Sequence, residues 1–338
     1  MSAANLTRRQ LLTTALLATA LPAGAQPTSW PNPLVPQRAD PQILRRGDWV
    51  YLMATVPEYD RLELRRARSI AGLATADPKV IWRRHEQGPM SHHVWAPELH
   101  FIDNRWFIYF SAGEAKEPWK IRLWVLENAS PDPMQGDWTE RGQIRTQWET
   151  FTLDATVFEH RGRRYMAWAQ TDPAKKNHST DIFISSMKSP TELQGPQVRL
   201  SQPDYAWEKV RHFVNEAPAA LIHGGRVFMT YSAAGTGAEY CLGLLWADEN
   251  ADLLDAKNWR KSPGPVFTSS PENGIYGPGH NSFVTEPDGS VLNVFHARNY
   301  RDIVGDPLKD TGRATRVQPL AFTADGMPDF GLPLPEKR

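Results

Sequence analysis

At 338 residues, with 38 acidic and 38 basic side chains, the chain has no net charge, which argues against nucleic acid or an anionic membrane surface as its main partner. A single cysteine, Cys241, excludes an intrachain disulfide, so the core alone must hold the fold. Thirteen tryptophans supply flat amphipathic rings that suit both a packed all-β core and the face of a neutral sugar.

The N-terminus reads as a targeting segment. Thr7-Arg8-Arg9-Gln10-Leu11-Leu12 sets an arginine pair before an apolar run over residues 11–21, and Ala23-Gly24-Ala25 supplies small residues for cleavage. Residues 1–25 therefore resemble a bacterial twin-arginine export signal, with a general secretory signal as the alternative. Either signal predicts a periplasmic or extracellular protein. The apolar run is too short to span a bilayer as a stable helix, so no stable membrane anchor is expected. Residues 26–37 (QPTSWPNPLVPQ) are Pro-rich and predict an extended linker.

From residue 38 onward a single grammar repeats. A polar entrance residue opens an apolar run, a Gly- or Asp-containing turn follows, and a second apolar run returns, the pattern of a β-hairpin. The best-defined copy is Thr152 to Ala169, with Asp154 at its entrance and the turn at Arg161-Gly162-Arg163. The other entrances are Asp40, Glu98, Glu216 and His280, spaced at intervals of about 60 residues, somewhat above the typical propeller blade. Each copy carries further strand pattern, as in residues 122–126 and 240–246. Four strands in each of five repeats predict one all-β domain over residues 38–338, a five-bladed β-propeller. Residues 312–322 have strand character and either join the last blade or close the ring. In such a fold the five entrance residues converge at one mouth of the central channel.

Three carboxylates stand out among those entrances by position: Asp40, Asp154 and Glu216 each begin an inner-strand pattern. Hydrolysis of a glycosidic bond needs one carboxyl group to protonate the leaving oxygen and a second to attack or to activate water. A third carboxylate nearby can raise the acid's pKa and hold it in place. Hydrogen bonding to strand edges is the alternative for any one of them. No Cys/His cluster, phosphate loop or Ser-His-Asp spacing suggests other chemistry.

At these residues the chain resembles glycoside hydrolase family 43. The motifs are Arg38-Ala39-Asp40-Pro41, Trp95-Ala96-Pro97-Glu98, Leu153-Asp154-Ala155, Asn215-Glu216-Ala217-Pro218, Gly279-His280-Asn281-Ser282 and Gly312-Arg313-Ala314-Thr315. The resemblance implies an inverting enzyme in which Asp40 is the general base, Glu216 the general acid, and Asp154 the residue that orients the acid and tunes its pKa. Arg313 matches an arginine that contacts the terminal sugar. Trp95, His93 and Asn215 are further candidates for substrate contact, with inter-blade packing as the alternative for Trp95. His92-His93 departs from the usual pattern. His280 matches a histidine associated with a central calcium ion, often through water; a hydrogen-bonded core histidine is the alternative, and no cofactor is expected to be required.

Within the family, residues 56–66 and the Trp95 segment look like the exo-acting α-L-arabinofuranosidase branch, which implies removal of terminal arabinofuranosyl units from neutral, α-1,5-linked arabino-oligosaccharides. The loops at residues 57–61 and 91–93 are expected to build the closed end of the pocket. A β-D-xylosidase of the same family and a non-catalytic carbohydrate-binding propeller are the rivals. The sequence does not fix an oligomeric state.

Overall fold

The computed structural model describes residues 30–175 and 179–337; the expected export signal, residues 1–25, lies outside them. Five antiparallel sheets follow one another along the chain. Their innermost strands are Ala39–Arg46, His92–Ile102, Thr152–His160, Asn215–His223 and Tyr276–Thr285, and these pack side by side around one axis, the fifth returning to the first. The molecule is therefore the five-bladed β-propeller that the repeat predicts. We number the blades I to V in chain order. Blade III fills its outermost place with two short strands, Glu192–Leu193 and Val198–Ser201. Among the described residues helix is confined to Ile70–Leu73 and two single 3-10 turns, and none is long and apolar enough to cross a membrane.

The second strands explain why the apolar runs are so dense. A propeller blade is covered on both faces by its neighbours, so a strand in its middle buries both rows of side chains and loses the alternation of a half-exposed sheet. Arg105–Glu114 (RWFIYFSAGE) and Arg226–Ala233 (RVFMTYSA) are buried along almost their whole length. Between blades the packing is aliphatic at the junction of blades I and V and partly aromatic elsewhere: Phe267 of blade IV meets Phe295 of blade V edge to face, ring centroids 4.9 Å apart, a favoured arrangement of the ring quadrupoles.

The ring is closed by a segment expected to be linker. Residues 30–37 are packed: Leu34 and Val35 are buried, Val35 bridges to Thr315, and Asn32 bridges to Lys337. Trp30 donates its indole N–H to the Val317 carbonyl at 3.1 Å. Prolines set the extended backbone, but Leu34 and Val35 supply enough apolar surface to bind it to blade V. Ala314–Phe322 is the third strand of that blade.

Each innermost strand carries a residue with left-handed backbone at the same place, Asp40 (φ 53°), Ala96 (46°), Asp154 (57°), Ala217 (52°) and His280 (44°), and blades II and V add a second three residues earlier, His93 (51°) and Gly277 (61°). Non-glycine residues rarely adopt φ > 0, so its recurrence in every blade makes it a structural device. The strand pairing slips directly after each of them. These are β-bulges, which re-aim a side chain at a sheet end. They also correct the register read from the sequence. Glu98 lies two residues beyond the equivalent position in blade II, and Glu216 one residue before it in blade IV, because the bulge changes which residue faces the channel.

Candidate active site

The bulges bring Asp40, Asp154, Glu216, His280 and Arg313 to one mouth of the channel, where they line a cavity of about 470 Å³. Asp40 is almost fully buried, with Arg313 Nη1 at 3.3 Å and His280 Nδ1 at 3.3 Å from its Oδ1. Burial opposes its ionisation, but His280, Arg313 and His296 outweigh that and hold its carboxyl well below the usual range. The His296 Nδ1 accepts the backbone N–H of Asp40 at 3.0 Å. Burial pushes the pKa of His296 down to about 3, so this ring is neutral, and the fixed charge beside Asp40 is that of Arg313. Arg313 in turn donates to the Tyr59 hydroxyl at 3.2 Å.

Glu216 lies in the opposite electrostatic situation. Burial and repulsion from Asp40 push its pKa up to about 7, against the hydrogen bond from Tyr240 and the charge of Arg313. Asp154 is pushed well above the ordinary carboxylate range, by burial first and then by repulsion from Glu216 and Asp40. Asp154 and Glu216 therefore hold a proton between them near neutral pH, while Asp40 is ionised. The Asp154 Oδ2 accepts the backbone N–H of Ala217 at 3.1 Å, which ties it to the residue after Glu216.

Trp95 lines the cavity, and His93 is stacked behind it, centroids 4.4 Å apart and planes 22° from parallel. His93 faces a smaller neighbouring cavity with Tyr59 and His92, so it supports Trp95 and does not border the main pocket. Burial takes its pKa down to about 4. Asn215 is a correction to the sequence reading. It is fully buried, its amide donates to Glu208 at 3.1 Å and to the Val214 carbonyl, and its oxygen accepts from Ser201 at 2.6 Å. The bulge turns it away from the cavity that its neighbour Glu216 enters. Glu208 is itself fully buried and paired with Lys261 at 2.7 Å, and this network anchors the start of the strand.

Several cavity residues carried no repeat signal. Tyr240 donates to Glu216 Oε1 at 2.7 Å and stacks parallel to His296, centroids 5.6 Å apart. Trp119, 61 % exposed, stands at the rim beside Phe151. Residues 306–308 form one side, strapped down by the Tyr59 hydroxyl, which donates to the Leu308 carbonyl at 2.6 Å. Their loop is anchored by Asp310, which accepts from the buried Arg298 at 2.6 Å and from Tyr300 at 2.7 Å. Tyr59, from residues 57–61, acts on one side of the cavity by strapping Leu308 and does not itself line it, and the blade V loop takes the place expected for residues 91–93.

The channel calcium implied by the resemblance finds a poor direct donor set. His280 aims Nδ1 at Asp40 and, at 4.0 Å, at Asp154, and among the described residues no three His, Cys, Asp or Glu side chains are grouped as metal ligands. Calcium takes six to eight oxygens, which these side chains do not supply.

Comparison with known proteins gives concordant results. Residues 30–328 match the family described as Glycosyl hydrolases family 43. An "Extracellular exo-alpha-(1->5)-L-arabinofuranosidase" of Streptomyces chartreusis is 54 % identical over 287 residues, covering 84 % of this chain and 87 % of that protein. A protein of the same name from Streptomyces avermitilis is 50 % identical over 327 residues, covering 95 % and 68 %. Among solved structures, an α-L-arabinofuranosidase from Lactobacillus brevis superposes with a TM-score of 0.88 at 46 % identity, covering 91 % of this chain and 98 % of that one.

Proposed function

The chain belongs to glycosyl hydrolase family 43, and from that premise we propose that it removes terminal α-L-arabinofuranosyl residues, one at a time and with inversion, from α-1,5-linked arabino-oligosaccharides. The names of its relatives support the substrate and the exo mode. The observation that carries the mechanism is the opposed protonation of two carboxyl groups in one cavity: Asp40 held ionised beside Arg313, Glu216 pushed up to about 7. Two carboxyl groups whose environments drive their pKa values apart divide the roles of base and acid between them.

In this reading Asp40 takes a proton from a water molecule, and the water oxygen attacks the anomeric carbon from the face opposite the leaving oxygen. Glu216 delivers its proton to that oxygen as the glycosidic bond breaks. Asp154 holds the acid in place and shares its proton. Arg313 keeps Asp40 charged and donates to the terminal sugar, and Trp95 offers its ring to the sugar's apolar face. The two carboxyl groups supply both proton transfers, so the reaction requires no metal. We also propose export to the periplasm or the extracellular space, on the strength of the arginine pair Arg8-Arg9 and the extracellular relatives. The experiment is hydrolysis of α-1,5-arabinotriose followed by NMR from the first turnover. Arabinose appearing first as the β-anomer, with arabinobiose, is expected; release of the α-anomer sinks the inverting assignment.

A further inference from the structure

The bulges are linked blade to blade by a cycle of hydrogen bonds. The Thr55 Oγ1 of blade I accepts the bulge N–H of Ala96 in blade II at 2.7 Å. Ser111 of blade II accepts that of Asp154 in blade III at 3.0 Å. Ser232 of blade IV accepts that of His280 in blade V at 2.7 Å, and His296 of blade V accepts that of Asp40 in blade I at 3.0 Å. All four acceptors occupy one register position, opposite the residue that precedes their own blade's bulge: Thr55 faces Ala39, Ser111 faces Trp95, Ser232 faces Glu216 and His296 faces Gly279.

Blade III breaks the pattern. The residue opposite Leu153 is Ala169, which is buried and has no acceptor. The bulge N–H of blade IV, that of Ala217, is taken instead by Asp154 Oδ2 at 3.1 Å. A buried backbone N–H needs a partner, and at this one junction a carboxylate of the site supplies it. The N–H belongs to the peptide that joins Glu216 to Ala217. Whatever holds it therefore fixes the point from which the Glu216 side chain departs.

We propose that Ala169 is the position that assigns the missing inter-blade hydrogen bond to Asp154, making Asp154 a positioning residue that locks the Glu216–Ala217 peptide. The assignment deepens the reading of Glu216 as general acid and rests on it. Asp154 then acts through two separable properties, its charge and its acceptor oxygen. A serine at 169 would restore the pattern of Thr55, Ser111 and Ser232 and free Asp154 from it.

The test uses the full chain in four forms: wild type, Asp154→Ala, Ala169→Ser, and the double variant Asp154→Ala/Ala169→Ser. Asp154→Ala is expected to lower both Tm and kcat. In the double variant the new hydroxyl takes over the Ala217 N–H, so Tm recovers and kcat rises roughly threefold to tenfold above that of Asp154→Ala, the effect of regaining about one hydrogen bond. KM stays unchanged. A double variant no more stable and no faster than Asp154→Ala overturns the proposal. Should Asp154→Ala fail to fold, a crystal structure of Ala169→Ser decides: a Ser Oγ about 3 Å from the Ala217 nitrogen supports the proposal, and an Oγ turned away overturns it. Recovery of Tm with no change in kcat would leave the hydrogen bond in place and overturn the positioning role, whereas Glu216 as the acid is tested by Glu216→Gln on substrates with poor and good leaving groups, so the two readings fail separately.

Discussion

The Tyr240 hydroxyl donates to Glu216 Oε1 at 2.7 Å, and the ring that carries it lies where the side chain of residue 279 would stand. A Cβ built on Gly279 falls 2.2 Å from the Tyr240 ring. Gly279 occupies in blade V the place that Glu216 holds in blade IV and Trp95 in blade II. Blade V therefore yields its place at the mouth to a tyrosine from blade IV, and that tyrosine governs the acid.

The hydrogen bond from Tyr240 stabilises the ionised form of Glu216, so removing it raises the pKa of the acid. In the proposed role Glu216 acts protonated, so activity should be lost as pH rises through about 7. Tyr240→Phe should move the alkaline limb of kcat/KM upward by about one pH unit, as expected for one hydrogen bond to a charged group. A limb that stays in place or moves down would detach Tyr240 from the acid. The acid limb, set by Asp40, should not move.

Gly279→Ala offers a second route to the same residue. The added methyl group forces the Tyr240 ring aside, and overpacking of this kind costs about 1–3 kcal/mol. Tm should fall, and the alkaline limb should shift in the same direction as in Tyr240→Phe. Loss of stability with an unaltered pH profile would mean that the ring moves without releasing Glu216.

What was legible in the sequence follows from where repetition acts. Asp40, Asp154, Glu216 and His280 stand at recurring strand entrances, so their convergence could be read from spacing, whereas Arg313 was legible only through the family resemblance. Tyr240 and the 306–308 segment lie before a third strand or in a loop, where the five blades have no common pattern, and His296 shares a register position with Thr55, Ser111 and Ser232 but not their residue type. Asn215 and His93 were misplaced for a different reason. Side-chain direction at a strand entrance depends on a bulge that forces residues such as Ala96 and Ala217 into φ > 0, and these residue types carry no preference for that conformation. The linker reading of residues 30–37 weighed their prolines and overlooked Leu34 and Val35, which the closing blade buries.

The assigned roles predict different responses to the leaving group. Glu216→Gln cannot give up a proton, so its kcat on an arabinobioside should fall by about 10²–10⁴, the usual contribution of a general acid. An aryl arabinofuranoside whose phenol leaves readily should recover much of that loss. Asp40→Asn should be inactive on both, because the water still needs a base. Equal losses for Glu216→Gln on the two substrates would remove it from the acid role. Dialysis of the wild type against a chelator should leave kcat/KM unchanged on either substrate, since no metal takes part in these proton transfers; a loss restored by calcium would return His280 to a metal site.

The exo mode is the prediction that the architecture bears on most directly. One side of the cavity, residues 306–308, is tied down by the Tyr59 hydroxyl in addition to the Asp310 anchor: Tyr59 donates to the Leu308 carbonyl while accepting from Arg313. Tyr59→Phe keeps the ring that meets Trp95 edge to face at 5.8 Å and removes the strap together with one acceptor for Arg313. The wild type should release arabinose alone from linear α-1,5-arabinan from the first time points, because a pocket closed behind the terminal sugar admits one unit. With the strap gone, the 306–308 segment can move off the pocket, and the variant should bind the terminal unit more weakly and raise KM for short oligosaccharides. Comparing wild-type kcat/KM on 4-nitrophenyl α-L-arabinofuranoside and β-D-xylopyranoside tests the sugar itself, and a preference for the xyloside would replace the proposed substrate. Arabinobiose or longer fragments released by the wild type at the outset would mean that the cavity is an open groove and that Tyr59 and Leu308 do not form its end.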